Sequence, residues 1–238
     1  MSSHRTIDPL EWGYAKAWEL SFGALEGEAL LRSMIVHAFP GRMALVSSFG
    51  AEAVLLLAMV AGIDPTTPVI FLDTGQHFDE TLDYRDRLTR LLGLTDVRSV
   101  APDADALATA DPDGRLWRSA SDRCCALRKV APLTKALQGF DAWVTGRKRY
   151  QGGARGGLPP VEYVDARVKV NPLAGWDAAR VNAEIDARGL PRHPLVAVGY
   201  GSIGCAPCTV PAALGSRAGR WAGLDKSECG IHREPDQA

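Results

Sequence analysis

The chain has 238 residues, 46% hydrophobic and 23% charged, the balance of an ordinary globular protein, which excludes intrinsic disorder and collagen-like arrays. At this length roughly 70–75% of the surface exposed by the unfolded chain is buried, so a core needs no disulfide or metal staple. With 27 Lys and Arg against 28 Asp and Glu, no global basic excess points to nucleic acid or a membrane surface as a partner.

Residues 10–38 read as helical on the apolar anchors Leu10, Trp12, Trp18, Leu25, Leu30, Leu31 and Ile35, and Pro40-Gly41 closes the region. An alternation then begins. MALVSS (43–48) reads as a strand and feeds FGAE and a helix from Glu52 to Ala61. TPVIFLD (67–73) is a second strand, followed by TGQH and a helix from Asp79 to Leu92. DVRSV (96–100) is a third strand, 125–138 a helix interrupted by Pro132, and AWVTG (142–146) a fourth strand. This order predicts an α/β fold, a mostly parallel twisted sheet with helices on both faces.

Residues 147–160, rich in Gly, Pro and Arg, read as a mobile basic loop, and 177–188 as a helix ending near Gly189. The predicted division is an α/β unit over 1–208 and a mobile tail over 209–238, too poor in apolar residues to form its own core. The longest apolar run, 53–63, is shorter than the ~20 residues of a bilayer span. The opening MSSHRTIDPLEWGYA carries no apolar signal core. A soluble, cytoplasmic protein is expected.

In an open α/β sheet, ligands sit beyond the carboxyl ends of the strands. There the first strand offers Ser47, Ser48, Phe49, Gly50, Ala51 and Glu52 before a helix N-terminus, where amides and dipole favour an anion. Taken alone, the segment reads better as an ordinary Ser-capped βα turn, and it is no Walker A motif. The second strand ends in Leu72, Asp73, Thr74 and Gly75, suited to a nucleoside or to a helix cap.

Cys124-Cys125 and Cys205-x-x-Cys208 offer four thiolates, which suit zinc or an iron–sulfur cluster. Adjacent cysteines favour a cubane, because neighbouring side chains diverge toward different irons. Lys129 lies four residues after Cys125, on the same helix face if the helix is regular. Arg147, Lys148, Arg149 and Arg155 follow the fourth strand; Lys148 and Arg149 read as solvated. Cys229, in ECGIH, is a lone thiol with His232, Arg217 and Arg220 as candidate cations to lower its pKa.

As an ordered set, SSFGAE, LDTG, CC-x-x-R-K, TGR-x-R-x-Q, SIGCAPC, RAGRW and ECGIH resemble the assimilatory adenylylsulfate (APS) and phosphoadenylylsulfate (PAPS) reductases, over residues 43–232. The two cysteine pairs are similar to the cluster-bearing branch, which mainly uses APS. The resemblance implies an adenine nucleotide α-hydrolase-like fold with a modified PP-loop at Ser47–Glu52 around the phosphosulfate and Leu72–Gly75 at the adenosine. It implies a 4Fe–4S cluster on Cys124, Cys125, Cys205 and Cys208. Lys129, Arg147, Arg155, Arg217 and Arg220 would surround the phosphosulfate, with His232 near the reacting thiol and Cys229 as nucleophile. The activity implied is reduction of APS to sulfite and AMP through an S-sulfocysteine, with reduced thioredoxin or a similar dithiol as partner, in sulfate assimilation and cysteine biosynthesis; a homo-oligomer is left open. The alternatives weighed are PAPS reductase or dual specificity, an ATP-dependent PP-loop adenylyl-transferring enzyme, which would carry SGG-x-D-S where this chain has SSFGAE, and a non-catalytic metal module binding nucleic acid.

Overall fold

The computed structural model describes residues 9–213, 215–224 and 226–232, with side chains from Gly13 onward. Leu10 and Trp12, named above as anchors, have side chains outside the described set, as do the last six residues of the predicted tail. The helices are α1 (Pro9–Phe22), α2 (Gly27–Arg32), α3 (Ala53–Ile63), α4 (Asp79–Leu91), α5 (Ala104–Ala110), α6 (Leu116–Ser119), α7 (Ser121–Cys125), α8 (Ala131–Ala136) and α9 (Ala178–Ala187). The strands are β1 (Met43–Val46), β2 (Val69–Leu72), β3 (Val97–Val100), β4 (Ala142–Val144), β5 (Val161–Val164) and β6 (Arg167–Val170).

The sheet order is β3-β2-β1-β4-β6-β5, parallel except for the β5–β6 pair. Registers such as Leu45 opposite Val69 and Ala44 opposite Trp143 align the carboxyl ends of the central strands. Strand alternation sorts the core. Met43, Leu45, Val69, Phe71 and Val144 pack with α2, α3, α4 and α9 on one face, and Ala44, Ile70, Leu72 and Trp143 pack with Leu133, Leu137 and Phe140 on the other. Each large aliphatic buried this way contributes ~1.5–3 kcal/mol, and burial on both faces explains why β1 and β2 read as unbroken apolar runs.

Three expectations are corrected. The 10–38 helix breaks at 23–26, because Gly27 takes φ 54 and a Cβ there would stand 2.8 Å from the Trp176 ring. Pro132 does not interrupt its helix. It lies in the first turn of α8, where a missing N–H costs nothing, and Ala126–Val130 between α7 and α8 widens into a π-helical turn. The 147–160 segment is no uniformly exposed basic loop: Arg147, Lys148 and Arg155 are buried. The β5–β6 hairpin is an addition, turning on Asp165 and Ala166 at φ 52 and 57, a left-handed pair where Asn-Gly or Asp-Gly is usual. Among the described residues, no helix is long and apolar enough to cross a membrane.

His193 braces α4 against the loop after α9. Its Nδ1 accepts the Leu195 N–H at 3.2 Å, so Nε2 carries the proton and faces Thr81 Oγ1 at 3.0 Å. It is 1% exposed, and burial pushes its pKa down to about 4 from 6.5. Below 6.5 the unfolded chain therefore takes up a proton that the folded chain refuses. The contribution is complete above pH 6.5 and is lost as pH falls toward 4. His193→Gln is expected to flatten the acid limb of a denaturant-stability profile between these values; an unchanged limb would assign the titration elsewhere.

Candidate active site

At the carboxyl end of β1, Ser47 Oγ accepts the Phe49 N–H at 3.2 Å and tightens the turn. Phe49 sits at φ 49, its ring edge-on to Phe71 at 5.7 Å, so it anchors the turn from inside the core. Gly50 has a structural reason: a Cβ would lie 2.9 Å from Ile203 O. The loop 201–204 thus crosses the turn and forms one wall of a cleft.

The cleft collects most of the predicted site. Ser47, Ser48, Gly50, Ala51, Glu52, Leu72, Lys129, Arg147, Arg155, Cys205, Arg217, Arg220, Cys229 and His232 line it. Phe49, Asp73, Thr74, Gly75, Cys124, Cys125 and Cys208 do not. The Asp73 carboxylate accepts the Gly75 N–H at 3.1 Å, while Thr74 is fully buried with its hydroxyl 3.4 Å from Cys205 Sγ. The sequence reading missed His77, Gln151 and Trp221, which also line it, although each stands inside or beside a quoted motif. It also misjudged Lys148 as solvated. That side chain is 3% exposed, and its Nζ donates to Glu52 Oε2 and Gly146 O, both at 2.9 Å. Arg149 is exposed, as expected.

Three glutamates neutralise part of this positive wall. Glu52 takes Lys148, the Tyr150 hydroxyl and Gln151. Glu162 on β5 takes Arg147 and Asn171. Glu228 takes Arg155 and Arg217. Among the described residues neither Lys129 nor Arg220 pairs with a carboxylate. Arg220 lies over the Trp221 ring at 4.6 Å and against Gly204, where a Cβ would overlap the guanidinium. The crowding shows in Arg217, whose pKa is pushed down to about 10 by burial first and the Arg155 charge next. Burial, then the Lys169, Arg147 and Arg155 charges, hold His232 neutral. Its ring stacks parallel to Trp143 at 6.1 Å, and its backbone N–H donates to Cys229 O at 2.9 Å. A cavity walled this way attracts a small polyanion.

The segment predicted as a tail docks on the body. Trp221 N–H donates to Cys208 O at 3.0 Å, and Val210 N–H to Gly219 O at 2.8 Å. Gly219 permits that crossing, since a Cβ would overlap Val210 O. Trp221 and Cys229 join Cys125 in a small buried cluster. Cys229 is 8% exposed. A hydrogen bond from Cys125 lowers its pKa well below the usual thiol value, burial opposes this, and the Lys129 charge assists. Burial disfavours the Lys129 charge, but the Cys229 and Cys205 sulfurs outweigh it and raise that pKa.

All five cysteines are free. Burial pushes the Cys124 thiol up to about 11, with Arg128 opposing and Cys205 and Cys208 adding to the rise; these three thiols share one neighbourhood. Cys125 faces Cys229, with Lys226 Nζ 3.2 Å from its sulfur. Among the described residues no three Cys, His, Asp or Glu side chains converge as around a single metal ion. Four thiols from two segments, flanked by Lys129 and Lys226, match in donor chemistry what an iron–sulfur cluster requires.

An open, mostly parallel α/β fold with an anion-attracting cleft beyond its central strands is the class these features define. Residues 42–211 match the family model described as the phosphoadenosine phosphosulfate reductase domain. The chain is 49% identical over 215 residues to an adenosine 5'-phosphosulfate reductase of Chelativorans sp., covering 89% of this chain and 87% of that one. It is equally identical over 213 residues to the enzyme of that name from Mesorhizobium japonicum, covering 89% and 84%. Among solved structures it is similar to a phosphoadenylyl-sulfate (PAPS) reductase from Candida auris in phosphate complex, with TM-score 0.70, 27% identity, and 88% and 99% of the two chains covered. The chain belongs to the phosphoadenosine phosphosulfate reductase family.

Proposed function

We propose that the chain reduces adenylylsulfate to sulfite and AMP, with Cys229 as nucleophile. One observation carries this reading: a buried thiol whose anion the Lys129 and Arg220 charges favour lies on a cleft with six Lys and Arg side chains and the Ser47–Glu52 turn, in a chain whose similar relatives are named adenosine 5'-phosphosulfate reductases. The Cys229 thiolate attacks the sulfate sulfur. The bond from that sulfur to the bridging oxygen breaks, and AMP leaves with the electron pair. Cys229 now carries an SO3 group. An external thiol, from reduced thioredoxin or a similar dithiol, attacks Cys229 Sγ. A mixed disulfide between Cys229 and the donor forms as sulfite departs with the pair; the donor's second thiol then displaces Cys229 Sγ, so the dithiol ends as a disulfide, having supplied both electrons, and the Cys229 thiol is restored. Dividing the transfer this way is covalent catalysis.

Nucleophile and substrate are both anionic and repel without nearby cations. Lys129 and Arg220 offset that repulsion and stabilise charge developing on the leaving phosphate. Cys124, Cys125, Cys205 and Cys208 would hold a 4Fe–4S cluster, which supplies structural support and a fixed charge beside Lys129. The docked segment that carries Cys229 closes the thiol over the substrate and then presents the sulfocysteine to the dithiol.

The test is an anaerobic sulfite assay with APS and with PAPS, iron and acid-labile sulfide being counted on the same sample. Sulfite from APS at a higher kcat/KM than from PAPS, on protein with equal iron and sulfide, is the expected result. Preference for PAPS would move the substrate assignment. Pyrophosphate release from ATP without sulfite would favour adenylyl transfer, and zinc in place of iron would overturn the cluster.

A further inference from the structure

We propose that Glu228 is a positioning residue for Cys229: it clamps the reactive segment to the body by engaging Arg155 and Arg217, which leaves Lys129 and Arg220 to meet the substrate. The inference rests on the reading above that Cys229 reacts with an anionic sulfate donor.

Glu228 immediately precedes Cys229 and is 7% exposed. Its two carboxylate oxygens accept from Arg155 Nε at 2.7 Å and Nη2 at 2.8 Å, a side-on fork, and Arg217 Nη2 lies 3.2 Å from Oε1. Bidentate pairs of this kind fix orientation as well as distance. The remaining Arg155 nitrogen donates to Gln151 Oε1, and the Gln151 amide reaches Glu52 Oε2 at 3.4 Å. An unbroken polar chain thus runs from the residue before the thiol to the turn after β1. Consecutive Cα atoms are about 3.8 Å apart, so the clamp cannot shift without moving Cys229 relative to that turn.

The same contacts divide the cations. An anion seeking Arg155 meets a guanidinium whose three nitrogens are already engaged, and at Arg217 it meets a Glu228 oxygen 3.2 Å from Nη2. Lys129 and Arg220 present no such barrier. Among the described residues Arg220 Nε is buried without a hydrogen-bond partner, and both side chains are among the charges that act on Cys229.

The test compares wild type, Glu228→Gln and Glu228→Asp on two readouts. Without substrate, Cys229 alkylation by iodoacetamide is followed by peptide mass mapping. Glu228→Gln is expected to react at least about tenfold faster, because loss of one partner leaves a buried charge and opens the clamp. Glu228→Asp keeps the charge and should fall between. In steady state Glu228→Gln should lower kcat at least about tenfold, with KM for APS within about threefold. Unchanged alkylation would overturn the proposal. So would a lowered KM at full kcat, which would make the carboxylate a competitor of the substrate. If Glu228→Gln does not fold, Glu228→Asp decides on both readouts, with at least about a twofold change in the same direction expected. Wild type that makes no sulfite from APS would sink the functional reading, while the alkylation comparison would still decide the role of Glu228.

Discussion

Cys229→Ser is expected to cut sulfite production from APS by ~10³-fold or more while leaving nucleotide affinity and fold unchanged. A hydroxyl is far less acidic than a thiol, and the contacts that hold the Cys229 proton off cannot make serine an anion. The cleft loses one sulfur atom and none of its cations, so AMP binding measured by calorimetry should stay within about twofold. Incubating wild type with APS alone should add the mass of one SO3 group to the Cys229 peptide. Residual sulfite above a few per cent of wild type, or an adduct on another cysteine, would remove Cys229 from the role.

Asp111→Ala is expected to be the most destabilising single change away from the cleft. Arg128 Nε and Nη2 donate to Asp111 Oδ2 at 3.1 and 2.6 Å, and Nη1 donates to Thr74 O at 2.6 Å, with both charged side chains buried. Asp111 also accepts the Leu116 N–H at 2.8 Å. Removing it strands a buried guanidinium at a cost of ~3–5 kcal/mol. At roughly 2–4 °C per kcal/mol for a domain of this size, the midpoint should drop by about 10 °C. Replacing the pair together, Asp111→Leu with Arg128→Met, should cost much less, since no uncompensated charge remains. A single-variant loss below about 1 kcal/mol would show that water reaches the pair. Because Arg128 also holds the turn that puts Thr74 against Cys205, a cluster held there as proposed should be lost faster on dilution from the destabilised variant.

Strands β1, β2 and β4 were legible because strands covered on both faces need continuous apolar runs, while β3, at the sheet edge with Arg98 and Ser99 exposed, was marked by its β-branched Val97 and Val100. The β5–β6 hairpin was not, since its turn uses Asp165 and Ala166, whose left-handed geometry is held by the flanking ladder and not by residue preference. Short motifs named the cleft residues well where chemistry is local: Ser47, Ser48, Gly50, Ala51, Glu52, Cys229 and His232 line it. Asp73, Thr74 and Gly75 stand outside the cleft lining, where the Asp73 carboxylate accepts the Gly75 N–H, because a polar turn at a strand end satisfies its own backbone as readily as a ligand.

The one-dimensional chain therefore determined the α/β class, the ligand edge of the sheet, the two cysteine pairs and the lone thiol, all of which depend on periodicity and residue type within a few positions. Which charges are free was decided only in three dimensions. Lys148 meets Glu52 across 96 residues, and Arg155 meets Glu228 across 73. Electrostatic pairing depends on distance in space, and only the folded sheet with its docked tail brings those partners together.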